Sequence, residues 1–279
     1  PRLLVDINLI PVTNDMEPIA EVAGELWYAF DPGTSNGNTI YRTDGTNENP
    51  VAGQALSELN GVSGSFATLN NQLIFSGRRS GPFTYVTFPD PYTTSTIEER
   101  EVYLGTDAGT TLVADVYPGT GGFGWYQTVL PLSSNPDQFR EEAGLVYFIA
   151  TSGTGRDLWQ TDGTSEGTAL SLDLPGNAVE FTFRSGQAVV STLSGSTYSL
   201  WYSGTSIAGI AVNSLKNLTT TSDGSVYFFA RATSSSPYYV YRFDGSTAQT
   251  VGGPLPAVPS SLVAIDDTLY FTSSSTLYQ

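Results

Sequence analysis

The acid–base chemistry of this chain can come only from carboxylates, because its 279 residues include neither histidine nor cysteine. That excludes Ser-His-Asp and Cys-His nucleophile activation in their usual forms and removes the commonest zinc and iron ligand. The candidates are Glu17, Glu21, Glu25, Glu98, Glu99, Glu101, Glu141, Glu142, Asp266 and Asp267. A glycosidase needs two such groups across a cleft, about 5–10 Å apart. A sialidase also needs arginines on the substrate carboxylate, and Arg78, Arg79, Arg140, Arg156, Arg184 and Arg231 are available. Nothing in the spacing marks any of them as convergent.

Other motifs dissolve on inspection. Gly33–Gly37 and Gly163–Gly167 both spell Gly-x-Ser-x-Gly, but neither sits between a strand and a helix, and neither has a base to serve it. Gly119-Thr120-Gly121-Gly122-Phe123-Gly124 spells Gly-x-Gly-x-x-Gly. A dinucleotide site needs a helix there, aimed at the pyrophosphate. Trp125-Tyr126-Gln127-Thr128-Val129 and Pro131 follow instead, so the run reads as a flexible connecting loop. The sequon Asn217-Leu218-Thr219 reads as a chance match in a chain rich in Ser and Thr.

Charge narrows the partners. Lys plus Arg is 11 against 27 Asp plus Glu, a net −16, and Lys216 is the one lysine. Such a surface repels nucleic-acid phosphates and anionic lipid heads. No apolar run approaches the roughly 20 residues that span a bilayer, so membrane insertion is not expected. No cofactor is expected either, calcium being the one cation such a surface could collect. The opening Pro1-Arg2-Leu3 shows no leader and reads as a mature or trimmed terminus.

What positions these residues is a repeat. Six times an aromatic precedes a turn of the Thr-Asp-Gly-Thr kind: Tyr41, Tyr103, Trp159, Trp201, Tyr241 and Tyr278, the last where the sequence ends. Thr, Ser, Gly, Tyr, Phe and Val dominate, and no long stretch has the 3.6-residue period of a helix, so the chain is all-β. Each repeat divides into four strands, A to D. In the third these are about Gln138–Glu142, Leu145–Ala150, Asp157–Thr161 and Ala169–Leu174. Strand B is best preserved, as in Val146-Tyr147-Phe148, Val226-Tyr227-Phe228-Phe229 and Leu269-Tyr270-Phe271. The aromatics are spaced 62, 56, 42, 40 and 37 apart, and re-entry from Tyr278 through Pro1 to Tyr41 takes 42. Residues 2–7 resemble an orphan strand D and should complete the last blade. The expectation is a single six-bladed β-propeller of four-stranded blades over 1–279, the ring closed by the N-terminal strand.

Asp157-Leu158-Trp159-Gln160-Thr161-Asp162-Gly163-Thr164 closely resembles the bacterial repeat family named for Glu-Leu-Trp-x-x-Asp-Gly-Thr, whose copies are read as propeller blades of secreted and surface proteins. The resemblance covers essentially the whole chain, with the third blade near consensus, the fourth lacking the Asp and the second carrying an extra residue. It implies a propeller and a secreted or cell-surface setting, and no catalytic activity. In the turns, Asp44, Asp107, Asp162 and Asp244 should accept backbone amides. The six aromatics should pack between neighbouring blades.

The two long spacings mark insertions at about 77–98, between strands B and C, and 117–136, between strand D and the next strand A. Both should be loops on one face of the ring, with smaller irregularities at 31–38 and 53–64. Aromatics beside Arg and Asp suit sugar rings or a protein partner. Arg78, Arg79, Phe83, Tyr85, Tyr92, Trp125 and Tyr126 are therefore the candidate binding residues; packing of the two loops against each other is the structural alternative. Binding or adhesion is favoured over catalysis. A carboxylate-dependent glycan-active enzyme and a subunit of a surface assembly, with the closing strand exchanged between molecules, remain the alternatives.

Overall fold

The computed structural model describes residues 17–30, 39–45, 51–52, 59–84, 94–106, 109–123, 128–274 and 276–279. Every regular element among them is a strand, and no helix there is long and apolar enough to cross a membrane. Residues 2–7 lie outside the described residues. By contact density the chain divides into two compact units: Pro1–Thr154 with Trp159–Leu170, and Gly155–Leu158 with Ser171–Gln279.

Six antiparallel meander sheets follow one another in chain order. The first holds β1 (Glu17–Val22), β2 (Glu25–Phe30), β3 (Thr39–Thr43) and β4 (Val51–Ala52). The second holds β5 (Leu59–Leu69), β6 (Gln72–Thr84), β7 (Thr94–Thr106) and β8 (Gly109–Ala114). A separate two-stranded ribbon, β9 (Thr120–Phe123) and β10 (Thr128–Pro131), comes before the third sheet. That sheet is β11 (Asp137–Glu142), β12 (Leu145–Thr151), β13 (Arg156–Thr161) and β14 (Ala169–Leu172), close to the strands expected from sequence. The fourth is β15 (Asn177–Arg184), β16 (Gln187–Ser194), β17 (Thr197–Tyr202) and β18 (Thr205–Val212). The fifth is β19 (Ser214–Thr220), β20 (Val226–Arg231), β21 (Tyr239–Phe243) and β22 (Ala248–Gly252). The last has three strands among the described residues, β23 (Pro259–Ile265), β24 (Thr268–Ser273) and β25 (Thr276–Tyr278).

The repeat is visible in the backbone as well as the sequence. Each sheet's first strand carries a register shift against its second, and bulges of this kind bend and twist a strand. Gln138, Asn217 and Ser261 adopt left-handed backbone in three of them, with φ of 56, 59 and 54°. Asn tolerates that region best, which gives the sequon asparagine a structural post; its Oδ1 is buried. Within each unit the first strands of successive sheets adjoin: β1, β5 and β11 in one, β15, β19 and β23 in the other. In the second unit Thr182 and Thr220 share a hydroxyl contact of 2.8 Å, and Leu218 N–H donates to Glu180 Oε2 at 3.0 Å.

Second strands supply the core because both of their faces are covered, so consecutive apolar residues are buried. Leu73, Ile74, Phe75, Val146, Phe148, Val226, Phe228 and Phe229 are fully buried. The third-strand aromatics combine packing between sheets with stacking inside their own sheet: Tyr103, Tyr241 and Tyr278 belong to clusters that include Val22 and Trp27, Val189 and Leu200, and Phe229 and Val240 of the preceding sheets. Tyr103, Tyr241 and Tyr278 stand directly opposite Phe75, Phe228 and Phe271 in their own sheets. Their rings stack at centroid distances of 6.1, 5.4 and 5.1 Å. Such cross-strand aromatic pairs are a usual unit of sheet stabilisation. Packing between sheets falls in part to second-strand residues such as Trp27, whose ring lies 3.0 Å from where a Cβ on Gly105 would be.

Candidate functional site

The insertion at 77–98 extends the ladder. β6 and β7 stay in unbroken register from Leu73 opposite Gly105 out to Thr84 opposite Thr94. β5 pairs with β6 as far as Leu59 opposite Arg79. Beyond that point, among the described residues, Ser80–Thr84 pairs with 94–98 alone. At about 3.4 Å per residue this ribbon projects about 17 Å. The expected loop is therefore corrected to a hairpin arm. Gly81 and Pro82 argue against strand by propensity, but a two-stranded ribbon leaves one side of each strand unpaired, where Pro is tolerated.

Within the Gly-rich run of the second insertion, Thr120–Phe123 form a strand, where a flexible loop is expected from sequence. Phe123 pairs with Thr128 and Thr120 with Pro131.

Of the seven candidate binding residues, the structure places three on β6. Arg78 stands opposite Arg100, Arg79 opposite Glu99, and Phe83 opposite Ser95. Tyr85, Tyr92, Trp125 and Tyr126 lie outside the described residues. So do Gly33–Gly37 and Asp107.

Both insertions root on one buried carboxylate. Glu101 on β7 is 1% exposed. Its Oε2 accepts the Val116 amide at 3.1 Å and the Ser134 hydroxyl at 2.5 Å, and its Oε1 accepts the Ser134 amide at 2.8 Å. These residues begin and end the segment that carries β9 and β10. Around them Ser133 Oγ bonds both the amide and the carbonyl of Arg100, and Asn135 N–H donates to the same carbonyl. Burial pushes the Glu101 carboxyl up to about 7; the Ser134 and Val116 donors pull it back, and Asp115 raises it. A raised carboxyl can mark a general acid, but this one faces its own chain.

Asp157 repeats the device. It is 3% exposed, and its Oδ1 accepts the Leu174 amide at 3.4 Å, just past β14. Burial raises its pKa, and the Leu174 bond opposes that. Glu101 and Asp157 each lie two residues before the third-strand aromatic, the position of the acidic residue in the motif. Sequence reasoning counted Glu101 among generic acids. The signal available was its place in the repeat, where a carboxylate clamps the connection to the next sheet.

Two of the turn aspartates, Asp162 and Asp244, act as expected. Asp162 Oδ1 accepts the amide and hydroxyl of Thr164 at 2.9 and 2.7 Å, which hold its carboxyl below the usual range. Asp244 Oδ1 accepts the Ser246 and Thr247 amides at 2.9 and 3.0 Å, and its pKa falls to about 2. Gly163 and Gly245, at φ of 90 and 99°, make the left-handed step that follows each Asp.

Other candidates for chemistry are committed to their own chain. Arg184 donates to the Gly224 and Asp244 carbonyls, and Arg42 pairs with Glu25 at 3.0 Å. Glu141 caps the turn at Gly144, and Asp267 accepts the Ser222 hydroxyl. Among the described residues no group of three acidic side chains is arranged to hold a metal ion.

No protein-family model matches the chain, and no curated protein matches it. Among solved structures it is similar to one from a study of two prolyl endopeptidases, at 11% identity and TM-score 0.49, covering 89% of this chain and 37% of that one. It is also similar to the Trypanosoma rangeli sialidase in complex with the inhibitor DANA, at 11% identity and TM-score 0.39, covering 94% and 53%. An exo-beta-1,3-galactanase from Clostridium thermocellum follows, at 12% identity and TM-score 0.33, covering 83% and 60%. The chain thus spans less than two thirds of each of these proteins. With every TM-score below 0.5, these likenesses carry no argument about activity.

Proposed function

We propose that the chain is a non-catalytic binding or adhesion module, secreted or surface-attached, that holds a glycan or protein partner on its two ribbon insertions. The observation behind this reading is the β6–β7 ribbon, which runs past its sheet from Ser80 opposite Glu98 to Thr84 opposite Thr94. Two-stranded ribbons are marginal alone, and this one is anchored at its root by Glu101 and its neighbours. A stiff arm with Arg and Phe positions, and with strand edges unpaired among the described residues, suits recognition by contact or by edge pairing. A glycan array and a panel of polysaccharides, each run with and without calcium, test this. Binding without turnover is the expected result. Turnover abolished by one Glu→Gln change would replace the reading with the enzyme one.

As architecture we propose a six-bladed propeller of the Glu-Leu-Trp-x-x-Asp-Gly-Thr repeat type. Six meanders with bulged first strands support it, as does a last sheet with three strands among the described residues where each of the others has four. In this reading residues 2–7 pair with β25, where Leu277 is 68% exposed. Deleting residues 1–8 should then lower the melting temperature of the whole chain. Unchanged melting contradicts closure, and concentration-dependent dimers of the intact chain would point to an exchanged strand.

A further inference from the structure

We propose that the second unit carries a separate binding site, a hydroxyl-lined cavity that takes one neutral sugar ring. The cavity is an open surface cleft of about 300 Å³ among the β16–β17 turn (Ser196, Thr197), the end of β18 and the following link (Ala211, Val212, Asn213), and the segment after β20 (Ala232, Thr233, Ser234); six of these eight residues are exposed. It is distinct from the ribbons, which belong to the first unit.

The lining selects the ligand class. Four hydroxyls and one amide can each donate and accept, as vicinal sugar hydroxyls require. Ala211, Val212 and Ala232 supply small apolar surface for the C–H groups of a ring. No lining residue is ionisable, although the chain carries 27 acidic residues. A cation therefore finds no carboxylate there, and the one charge at the rim, the Arg231 guanidinium, is already held by the Ser234 carbonyl and the Tyr238 ring. The volume is at the low end for ligand sites, which favours a single ring over an extended chain.

The site is also held in shape before anything binds. Asn213 N–H donates to the Arg231 carbonyl at 3.0 Å, and Ser236 N–H to the Thr233 carbonyl at 3.2 Å. Arg231 Nη1 donates to the Ser234 carbonyl at 3.1 Å, and Thr233 Oγ1 meets Ser236 Oγ at 2.7 Å. The Arg231 guanidinium rests over the Tyr238 ring at 4.9 Å, and the Tyr238 hydroxyl contacts Ser214 Oγ at 2.9 Å. Of the lining residues themselves, these bonds use backbone groups and the Thr233 hydroxyl. The Ser196, Asn213 and Ser234 side chains make no hydrogen bond among the described residues, so they are left for a ligand. A preformed site spends less of its binding energy on ordering. Without an aromatic platform the affinity should still be weak, with Kd on the order of 1 mM.

The test is an NMR titration of the full chain with methyl glycosides of glucose, galactose, mannose and N-acetylglucosamine, with methyl glucuronide as the charged comparison and glycerol as control. At least one neutral glycoside should shift the Asn213 and Ser234 resonances, more strongly than glucuronide or glycerol. Asn213→Ala should weaken it about tenfold with unchanged melting. Ser196→Arg, on an exposed turn, should block it sterically and serves if the first variant is unstable. No shift at tens of millimolar, or binding that survives both variants, overturns the proposal. A chain with the β6–β7 ribbon shortened should still bind the sugar, so failure here is distinct from failure of the ribbon reading.

Discussion

Replacing Glu101 with glutamine should remove a pH dependence that the wild-type chain carries near neutrality. The carboxyl sits at about 7 against an ordinary 4.5. Because the folded state raises its pKa, the folded state binds the proton more tightly. The stability linked to this group is fully present below about 4.5 and is lost as pH rises through about 7. A shift of that size corresponds to roughly 3 kcal/mol at alkaline pH. The protonated form fits the local bonds: Oε2–H can donate to Ser134 Oγ, whose own hydrogen then turns to the Arg100 carbonyl at 3.3 Å. Glutamine abolishes the charge but sets an NH₂ group against one of three donors. If its oxygen keeps Val116 and the Ser134 hydroxyl, the Ser134 amide loses its acceptor, at a cost of about 1–3 kcal/mol. Glu101→Gln should thus be destabilising by that amount near pH 4 and, once the roughly 3 kcal/mol of proton-linked stability is lost, between neutral and more stable than wild type near pH 8.5. Urea denaturation of both proteins across this range gives the difference directly. A difference that does not change with pH would refute the account of Glu101 as a buried, proton-linked clamp.

Phe228→Ala removes a fully buried ring stacked on Tyr241 and should lower unfolding free energy by about 3–5 kcal/mol in the same assay. Asp244→Ala leaves the Ser246 and Thr247 amides without their acceptor. The wild-type carboxyl contributes stability above its ordinary pKa that is lost as pH falls toward about 2, so an acid titration followed by circular dichroism should show less loss below pH 4 in the variant. Asp157→Ala should free the connection after β14, seen as faster hydrogen exchange at Leu174.

The sheets were legible wherever period-two alternation and turn chemistry agreed. Leu145–Ala150 reads as a buried second strand because Val146, Phe148 and Ala150 alternate, and Asp162-Gly163 marks the turn by its need for a left-handed residue. The arm was not legible because Gly77, Gly81 and Pro82 weaken strand propensity, while its pairing is decided by the partner segment Thr94-Ser95-Thr96-Ile97. Gly77 is itself required there: a Cβ on it would lie 2.6 Å from the Tyr103 ring. Glu101 and Asp157 were hidden for another reason. A carboxylate reads as solvated by composition alone, and burial comes from the connection that folds back over it.

The central claim is that a rooted ribbon carries partner recognition. The direct measurement replaces residues 80–98 by an Asn-Gly turn, which retains pairing up to Arg79 opposite Glu99 in register terms, and compares this chain with the intact one on the same glycan array and in pull-downs from a cell-surface extract. Melting should be unchanged, and the partner bound by the intact chain should be lost. Full binding by the shortened, folded chain would contradict the claim.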